Sequence, residues 1–283
     1  MSNSKYLNVV ALQYEPTISS SLNIKIIKKL LDKNHIKKNS LVVCPELSLQ
    51  KYICLVKNKN NFKQALTIRS KEINELKSLI KEYKIYFCIT IFEKYKNNFF
   101  NTAILFNTKG QIVKKYHKIH IPSETCYEEK YYFDQPKNEF QVFNINNFKI
   151  GILICWDQWH AKSYHELQQK NVNLIICPTA IGKCIHNGKK IGLNDEKSKW
   201  LEVIKSNSLM HNTPVVIVNR IGKESANRSS ICFWGSSFLT DANGDILKKC
   251  ASKPGVLSHR YRINDQISAK KMWNFIDINK FLS

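Results

Sequence analysis

Ten short apolar segments, separated by polar turns and amphipathic stretches, run through almost the whole chain. Each has the length and the apolar content of a buried β-strand. They cover residues 7–13, 41–44, 85–92, 102–107, 112–116, 150–154, 174–178, 215–219, 236–240 and 256–261. Between them, apolar residues at helical spacing predict helices over 20–32 and 69–83, and a third helix is expected over 160–170. This alternation predicts an α/β fold with a sheet-rich core and helices outside.

The length of the chain and the lack of a linker predict a single domain over residues 1–283. Large α/β folds reach this length as one domain. No Gly/Pro-rich or acidic run divides the sequence, and Asx-Gly turns at 107–110 and 241–245 predict hairpins. Neither a signal-peptide pattern nor an apolar stretch of membrane-spanning length is present, so we expect a cytoplasmic protein without membrane contact.

The charge of the chain is strongly positive, with 44 Lys and Arg against 22 Asp and Glu and a formal net charge of +22. Such an excess is typical of nucleic-acid-binding proteins. However, the lysines are spread along the whole chain with abundant Asn and Ile, as AT-rich codon usage produces, and no basic segment alternates with aromatic residues. We therefore expect weak nonspecific adhesion at low salt but no specific nucleic-acid function.

Nine cysteines lie at irregular spacings and include no Cys-x-x-Cys pair. An odd number of cysteines without a secretory signal favours reduced thiols over disulfides or a zinc site. His117 and His120 flank Lys118, but neither a carboxylate nor a cysteine stands at metal-site spacing from them. The sequence therefore predicts neither a disulfide nor a bound metal.

Three of the predicted strands are followed by residues suited to amide chemistry. Glu46 follows the second strand, Lys118 the fifth and Cys155 the sixth. A carboxylate can take the proton of a thiol, and an ammonium can stabilise the oxyanion of a tetrahedral intermediate. The helix at 160–170 would add an N-terminus that stabilises the thiolate. Together these residues predict cysteine-dependent acyl transfer from an amide.

Each of these residues, taken singly, also fits a purely structural role. Glu46 fits a helix or turn cap, Lys118 a solvated surface lysine, and Cys155 a buried core cysteine. Only the combination of the three favours catalysis.

Three blocks around these residues resemble the signature blocks of the nitrilase, or carbon–nitrogen hydrolase, superfamily. They are Pro-Glu-Leu at 45–47, Lys-Ile-His-Ile-Pro at 118–122 and Gly-Ile-Leu-Ile-Cys-Trp-Asp-Gln-Trp at 151–159. Further blocks at 127–133, 178–182, 219–224 and 235–238 are similar to the N-carbamoylputrescine amidase branch. The resemblance extends from residue 7 to about residue 263 and implies the four-layer α-β-β-α sandwich of the superfamily.

The resemblance implies a role for each of four catalytic residues. Cys155 is the expected nucleophile, Glu46 the base, and Lys118 an oxyanion donor together with the backbone N–H of Trp156. Glu129 matches the second glutamate, which orients the base and the lysine. Two carboxylates around one ammonium and one thiol keep the lysine charged and raise the pKa of one carboxylate. No cofactor is implied.

The branch also implies a substrate, N-carbamoylputrescine, which is hydrolysed to putrescine, CO2 and ammonia in polyamine biosynthesis. Four residues are the expected lining of the substrate site: Tyr52, Trp156, Thr179 and Ala180.

One departure from the branch concerns the ammonium end of this substrate. Lys183-Cys184 stands where the branch carries a glutamate. Tyr52 or Trp156 would offer a cation–π face instead. Three acidic residues on adjoining segments are candidates for the missing carboxylate: Glu124, Glu128 and Asp195.

Two alternatives to this substrate follow from the same departures. Lys183 would suit a substrate with a carboxylate, so that the chemistry would act on another carbamoyl amino acid or on an ω-amide. The segment 160–165 lacks the Glu and Arg of the branch, which favours a noncatalytic nitrilase-fold binding protein.

The region after the nucleophile also bears on assembly. Relatives pair through helices beside the nucleophile, and residues 160–169 lack a strongly polar outer face. We therefore expect a homo-oligomer, at least a dimer.

Overall fold

The computed structural model describes residues 6–273. These residues form sixteen strands and five α-helices. The strands are β1 (Tyr6–Gln13), β2 (Leu41–Val43), β3 (Tyr86–Tyr95), β4 (Asn98–Phe106), β5 (Ile112–His117), β6 (Val142–Ile145), β7 (Phe148–Ile152), β8 (Leu174–Thr179), β9 (Gly182–His186), β10 (Lys189–Ile191), β11 (Val215–Asn219), β12 (Ile221–Ala226), β13 (Ser229–Trp234), β14 (Phe238–Thr240), β15 (Ile246–Lys249) and β16 (Gly255–Arg262). The helices are α1 (Ser20–Lys33), α2 (Lys71–Tyr83), α3 (Ala161–Gln169), α4 (Glu196–Met210) and α5 (Ile263–Met272).

The strands form two six-stranded sheets and one smaller sheet. The first large sheet has the order β16-β1-β2-β3-β4-β5, and the second has the order β15-β14-β11-β8-β7-β6. In each, three central strands are parallel: β1, β2 and β3 in the first sheet, and β7, β8 and β11 in the second. The small sheet has the order β10-β9-β13-β12 and is antiparallel.

The two large sheets pack face to face. On β1, Leu7, Val9 and Ala11 point into the core between the sheets, whereas Val10 and Leu12 point toward α1 and α2. This is the alternation of a strand that is buried on both faces. The two helices cover the outer face of the first sheet with seven buried apolar residues: Ile24, Ile27, Leu31, Ile73, Leu76, Leu79 and Ile80.

Helices α3 and α4 cover the second sheet. Leu167 of α3 packs so closely on Gly151 of β7 that a Cβ on the glycine would lie 2.8 Å from the leucine. Trp200 of α4 packs on Phe238 of β14, with the ring centroids 5.5 Å apart. The order helix, sheet, sheet, helix confirms the predicted four-layer sandwich.

All ten predicted strands and all three predicted helices are present, with ends that shift by a few residues. The turns at 107–110 and 241–245 connect β4 to β5 and β14 to β15 as hairpins. Six strands were missed: β6, β9, β10, β12, β13 and β15. Most of them carry polar or charged residues at alternate positions, and all four residues of β15 are exposed, so their apolar signal is weak.

The prediction that the chain contains no disulfide is wrong. Cys126 and Cys184 form a disulfide across 58 residues of sequence, and the other seven cysteines are free. The spacing and number of the cysteines do not reveal this pairing, because Cys126 meets Cys184 only when the loop before Glu129 packs on β9.

One of the two reasons given for a dimer, the lack of a strongly polar outer face over residues 160–169, is also wrong. The outward side chains of α3 are polar, and the exposed Lys162 forms an ion pair of 3.6 Å with Glu166. The oligomeric state itself stays a prediction. No helix between residues 6 and 273 is long and apolar enough to span a membrane.

Candidate active site

Three of the predicted catalytic side chains meet in a fully buried cluster. Glu46 follows β2, Lys118 follows β5 in the same sheet, and Glu129 begins a 3-10 turn at Glu129–Tyr131. The Lys118 Nζ donates to Glu46 Oε1 at 2.8 Å and to the two carboxylate oxygens of Glu129 at 2.9 and 2.7 Å. The interpretation of Lys118 as a solvated surface residue is therefore wrong.

The charges of this cluster depend on one another. Burial lowers the pKa of Lys118, but the carboxylates of Glu129 and Glu46 outweigh it, so that the pKa of the ammonium lies well above its usual range. Burial raises the pKa of Glu129 to about 7, with Lys118 opposing the shift and Glu46 reinforcing it. As expected, the lysine stays charged and one carboxyl group titrates near neutral pH.

The carboxylate of Glu46 retains one unbonded oxygen. Its Oε1 accepts from Lys118 and from Asn101 Nδ2, which lies 2.7 Å away. Its Oε2 is buried and has no hydrogen-bond partner among residues 6–273. A buried acceptor without a donor is costly, so this oxygen is the one poised to take a proton from a reacting group.

Cys155 enters the same site from the second sheet, at the end of the segment that follows β7. Its backbone has a φ of +44°, a conformation that a non-glycine residue adopts only under strain and that is common at functional sites. Cys155 is 3% exposed, and its Sγ lies 4.0 Å from the carbonyl oxygen of Ala180. Burial and the negative charge of Glu46 raise the pKa of this thiol well above its usual range, with Lys118 opposing them.

The predicted stabilisation of a thiolate by a helix N-terminus is wrong. A 3-10 turn over Cys155–Trp159 lies between the thiol and α3, which begins only at Ala161. The thiol is therefore protonated at neutral pH, and it needs a neighbouring base before it can attack a carbonyl.

Asp157 is a buried residue of the site to which sequence analysis gave no role. Its Oδ2 accepts from the hydroxyl of Tyr116 at 2.7 Å and from the backbone N–H of Ile154 at 2.9 Å. Its Oδ1 accepts from the backbone N–H of His120 at 2.9 Å. Asp157 thus links the segment around Lys118 to the turn that carries Cys155. The sequence signal that could have identified Asp157 is its position two residues after Cys155.

Tyr52 lies against the cluster, but its contacts indicate a positioning role. Its hydroxyl donates to Glu129 Oε1 at 2.8 Å, and its backbone N–H donates to Glu224 Oε2 at 2.7 Å. Glu224 in turn accepts from the buried Arg220 at 2.6 Å. The ring of Tyr52 meets Phe233 edge-on at 5.8 Å. Contact of this ring with a substrate cation stays a prediction.

Thr179 and Ala180 lie at the end of β8, between the thiol and the base. The carbonyl of Thr179 accepts from the backbone N–H of Glu46 at 3.3 Å, while its hydroxyl donates to the carbonyl of Cys177 at 3.1 Å. The carbonyl of Ala180 faces the thiol. Both residues are fully buried, and they hold the catalytic segments together through backbone groups.

The departure at Lys183-Cys184 has a structural explanation. Cys184 is buried in the disulfide with Cys126, whereas Lys183 is exposed and lies on the opposite face of β9. Lys183 is thus not a wall of the site.

The three candidate carboxylates are not equivalent. Glu128 is paired with Lys57 at 3.3 Å. Glu124 and Asp195 are exposed.

The histidines beside Lys118 have carboxylate partners. His117 Nε2 lies 3.2 Å from Glu93, and His120 Nδ1 lies 2.9 Å from Asp157. Within the described part of the chain, no group of three or more His, Cys, Asp or Glu side chains could hold a metal ion.

Comparison with known proteins agrees with this geometry. The model of the carbon-nitrogen hydrolase family matches residues 8–270. An N-carbamoylputrescine amidase of Solanum lycopersicum is 29% identical over 274 residues, which cover 95% of this chain and 90% of the relative. A citrullinase of Francisella tularensis is 32% identical over 248 residues, which cover 87% and 84%.

Solved structures show the same fold. A carbon-nitrogen hydrolase from Helicobacter pylori has a TM-score of 0.87 and 25% identity, and the match covers 98% of this chain and 99% of that one. An amidase of the nitrilase superfamily from Nesterenkonia has a TM-score of 0.75 at 16% identity, over 95% and 97%. Because the family model matches residues 8–270, nearly the whole chain, this chain belongs to the carbon–nitrogen hydrolase family and is an enzyme that hydrolyses carbon–nitrogen bonds.

Proposed function

We propose that this enzyme hydrolyses a terminal carbamoyl group, R-NH-CO-NH2, and that its substrate is N-carbamoylputrescine. The observation that supports the chemistry is the buried Glu46–Lys118–Glu129 cluster beside a protonated thiol, with one carboxylate oxygen unbonded. The reaction consumes one water and yields putrescine, CO2 and ammonia, so the pathway would be polyamine biosynthesis.

The first half of the reaction forms a covalent intermediate. Glu46 Oε2 takes the proton of Cys155 as the sulfur attacks the carbamoyl carbon. Lys118 and the backbone N–H of Trp156 stabilise the oxyanion. Glu46 then returns the proton to the terminal nitrogen, the C–N bond breaks, and ammonia leaves R-NH-CO-S-Cys155.

The second half of the reaction hydrolyses the covalent intermediate and regenerates the free enzyme. Glu46 takes a proton from water, whose oxygen attacks the same carbon, and the C–S bond breaks with return of the proton to the sulfur of Cys155. The carbamic acid R-NH-COOH that leaves loses CO2 to give the amine. Glu129 and Tyr52 hold the ammonium of Lys118 in place through both halves.

Citrulline is the second candidate substrate, because it is also a terminal ureide. Two observations favour it: the 32% identity with a citrullinase, and the electrostatic contact of Lys190 with Glu196, where Lys190 opposes the rise in the carboxyl pKa that burial causes. The far end of citrulline carries an ammonium and a carboxylate, so it needs a binding site with charges of both signs. The far end of N-carbamoylputrescine carries only an ammonium and needs only a carboxylate. The intact catalytic residues argue against a noncatalytic binding protein.

Ammonia release decides between these substrates. We expect N-carbamoylputrescine to have the highest kcat/KM in a panel with citrulline, N-carbamoyl-β-alanine and an ω-amide such as glutamine. A preference for citrulline would move the assignment to the second candidate. Hydrolysis of the ω-amide without hydrolysis of any ureide would contradict the proposal.

The pH dependence of kcat/KM offers a further prediction. The pKa of Glu129 is about 7, so Glu129 takes up a proton as the pH falls through this value. A neutral Glu129 no longer holds the ammonium of Lys118, the oxyanion donor, with a charged carboxylate. We therefore expect kcat/KM for the preferred ureide to fall on the acid side of about pH 7. A profile that stays flat between about pH 5.5 and 8 would contradict this.

We propose a single domain over residues 1–283, a cytoplasmic location, assembly into at least a dimer, and catalysis without a cofactor.

A further inference from the structure

A cavity of about 410 Å³ lies on the turn that begins with the nucleophile. One wall is formed by Trp156, the residue after Cys155, and by Trp159, with ring centroids 6.1 Å apart. The opposite wall is formed by the loop before α4 and by its first turns, with Leu193, Glu196 and Val203. The cavity therefore combines two aromatic side chains, aliphatic side chains and a carboxylate, and one of its lining residues is the neighbour of Cys155 in sequence.

The carboxylate of Glu196 has no direct partner. It forms neither a hydrogen bond nor an ion pair with any residue in the described range 6–273, although its Oε2 packs against Gly192, where a Cβ would lie 2.7 Å away. Burial raises the pKa of Glu196; Lys190 opposes this shift and Glu124 reinforces it. A half-buried carboxylate without a protein partner is open to a cationic ligand.

The lysines around the cavity are directed to backbone groups instead. Lys190 Nζ donates to the carbonyl of Leu193 at 2.9 Å, and Lys199 Nζ donates to the carbonyl of Asn194 at 3.2 Å. Both contacts fasten the loop before α4. They leave Glu196 as the charged group available to a ligand, with Glu202 as a second, exposed carboxylate at the cavity.

Glu196 and the thiol also act on one common side chain. Both raise the pKa of Tyr127 electrostatically, after burial as the main cause. The hydroxyl of Tyr127 accepts from the backbone N–H of Gly182 at 3.1 Å. Tyr127 is therefore within electrostatic reach of both the thiol and Glu196.

We propose that Glu196 binds the ammonium end of the substrate in this cavity, with Trp156 and Trp159 as flanking aromatic faces. The inference rests on the proposed function and assigns the residue that selects for a cationic ureide. An unpaired ammonium in a largely apolar cavity would cost several kcal/mol, and a carboxylate with aromatic neighbours removes that cost. Glu196 supplies the carboxylate that the branch carries where this chain has Lys183-Cys184. Lys183 is exposed and Cys184 is held in the disulfide, so neither side chain takes over that role.

The test compares two ureides that differ only at the far end. N-carbamoylputrescine ends in an ammonium, and n-pentylurea carries a methyl group in its place. For Glu196→Gln we expect kcat/KM for N-carbamoylputrescine to fall roughly 10- to 100-fold, mainly through KM, while n-pentylurea changes less than about twofold. An unchanged ratio of the two values would overturn the inference but leave the proposed function intact.

Two controls separate this site from a general effect of charge. Glu75→Gln removes the same charge from α2, on the opposite helical layer, and should leave both substrates unaffected. Glu202→Gln removes the other carboxylate at the cavity and should have a much smaller effect than Glu196→Gln. An equal effect would overturn the assignment to Glu196.

Direct binding decides the inference independently of turnover. If the wild type releases no ammonia from either ureide, the proposed function fails. Calorimetric titration with putrescine then still tests the cavity, since we expect the Kd to rise at least about tenfold in Glu196→Gln. Equal Kd values for the two proteins, or no binding to the wild type, would overturn the inference.

Discussion

Cys155→Ala should abolish ammonia release while the protein stays folded. Without the sulfur no covalent intermediate forms, and loss of a nucleophile lowers turnover by about 10⁴-fold or more. The thiol makes only a weak contact with the carbonyl of Ala180, at 4.0 Å, so its removal disturbs little packing. Cys155→Ser should be nearly as inactive, because a hydroxyl is far less acidic than a thiol. Turnover and the circular dichroism spectrum are the measurements.

Cys88→Ala is the matched control for this prediction. Cys88 is also fully buried, and burial raises the pKa of its thiol to about 12, but it lies on β3 in the first sheet. We expect this variant to keep its activity with a modest loss of stability. Mass spectrometry of the wild type mixed with substrate should detect the carbamoyl adduct on Cys155. Ammonia release by Cys155→Ala near the wild-type rate would refute the mechanism.

The positions of three proposed catalytic residues were predictable from sequence because of where strands end. Glu46, Lys118 and Cys155 each follow an apolar segment, and the packing of the two sheets brings the ends of these segments together. Asn101 was not accessible in this way. It lies within β4, and its hydrogen bond to Glu46 spans 55 residues, so only the pairing of strands reveals it.

The small sheet and the disulfide show a second limit of sequence patterns. Periodicity detects an element that buries one continuous apolar face, but β9 places the exposed Lys183 beside the buried Cys184. Strands of this kind are stabilised by their neighbours in the sheet. Glu196 was likewise not recognisable from sequence. Its context is an ordinary acidic first turn of a helix, and it shares a cavity with Trp156 only in the folded chain.

Lys118→Met should cause the largest loss of stability among the site variants. The change leaves Glu46 and Glu129 buried without their shared counter-charge, and breaking a buried ion pair costs about 3–5 kcal/mol. We also expect kcat to fall at least about 10²-fold, because an oxyanion donor is lost. Urea unfolding and steady-state kinetics measure the two effects. Lys114→Met, at a partly exposed position on β5, the strand that Lys118 follows, should change stability by less than about 0.5 kcal/mol.

The pH dependence of this loss identifies its cause. Without Lys118 the two carboxyl groups hold protons in the folded protein at pH values where the unfolded chain has released them. Because the folded state then binds more protons, its stability rises as the pH falls toward about 5. Lys118→Met should thus lose less stability at pH 5.5 than at pH 8. A loss independent of pH would show that packing, not charge, is responsible.

The double variant Lys118→Met Glu129→Gln separates stability from catalysis. It removes one buried charge of each sign, and the hydroxyl of Tyr52 can still donate to the amide oxygen at position 129. We expect it to recover a large part of the free energy of unfolding and none of the activity. Recovery of activity would mean that Lys118 serves only to neutralise Glu129. A single variant Lys118→Met that changed KM alone would instead assign the lysine to substrate binding.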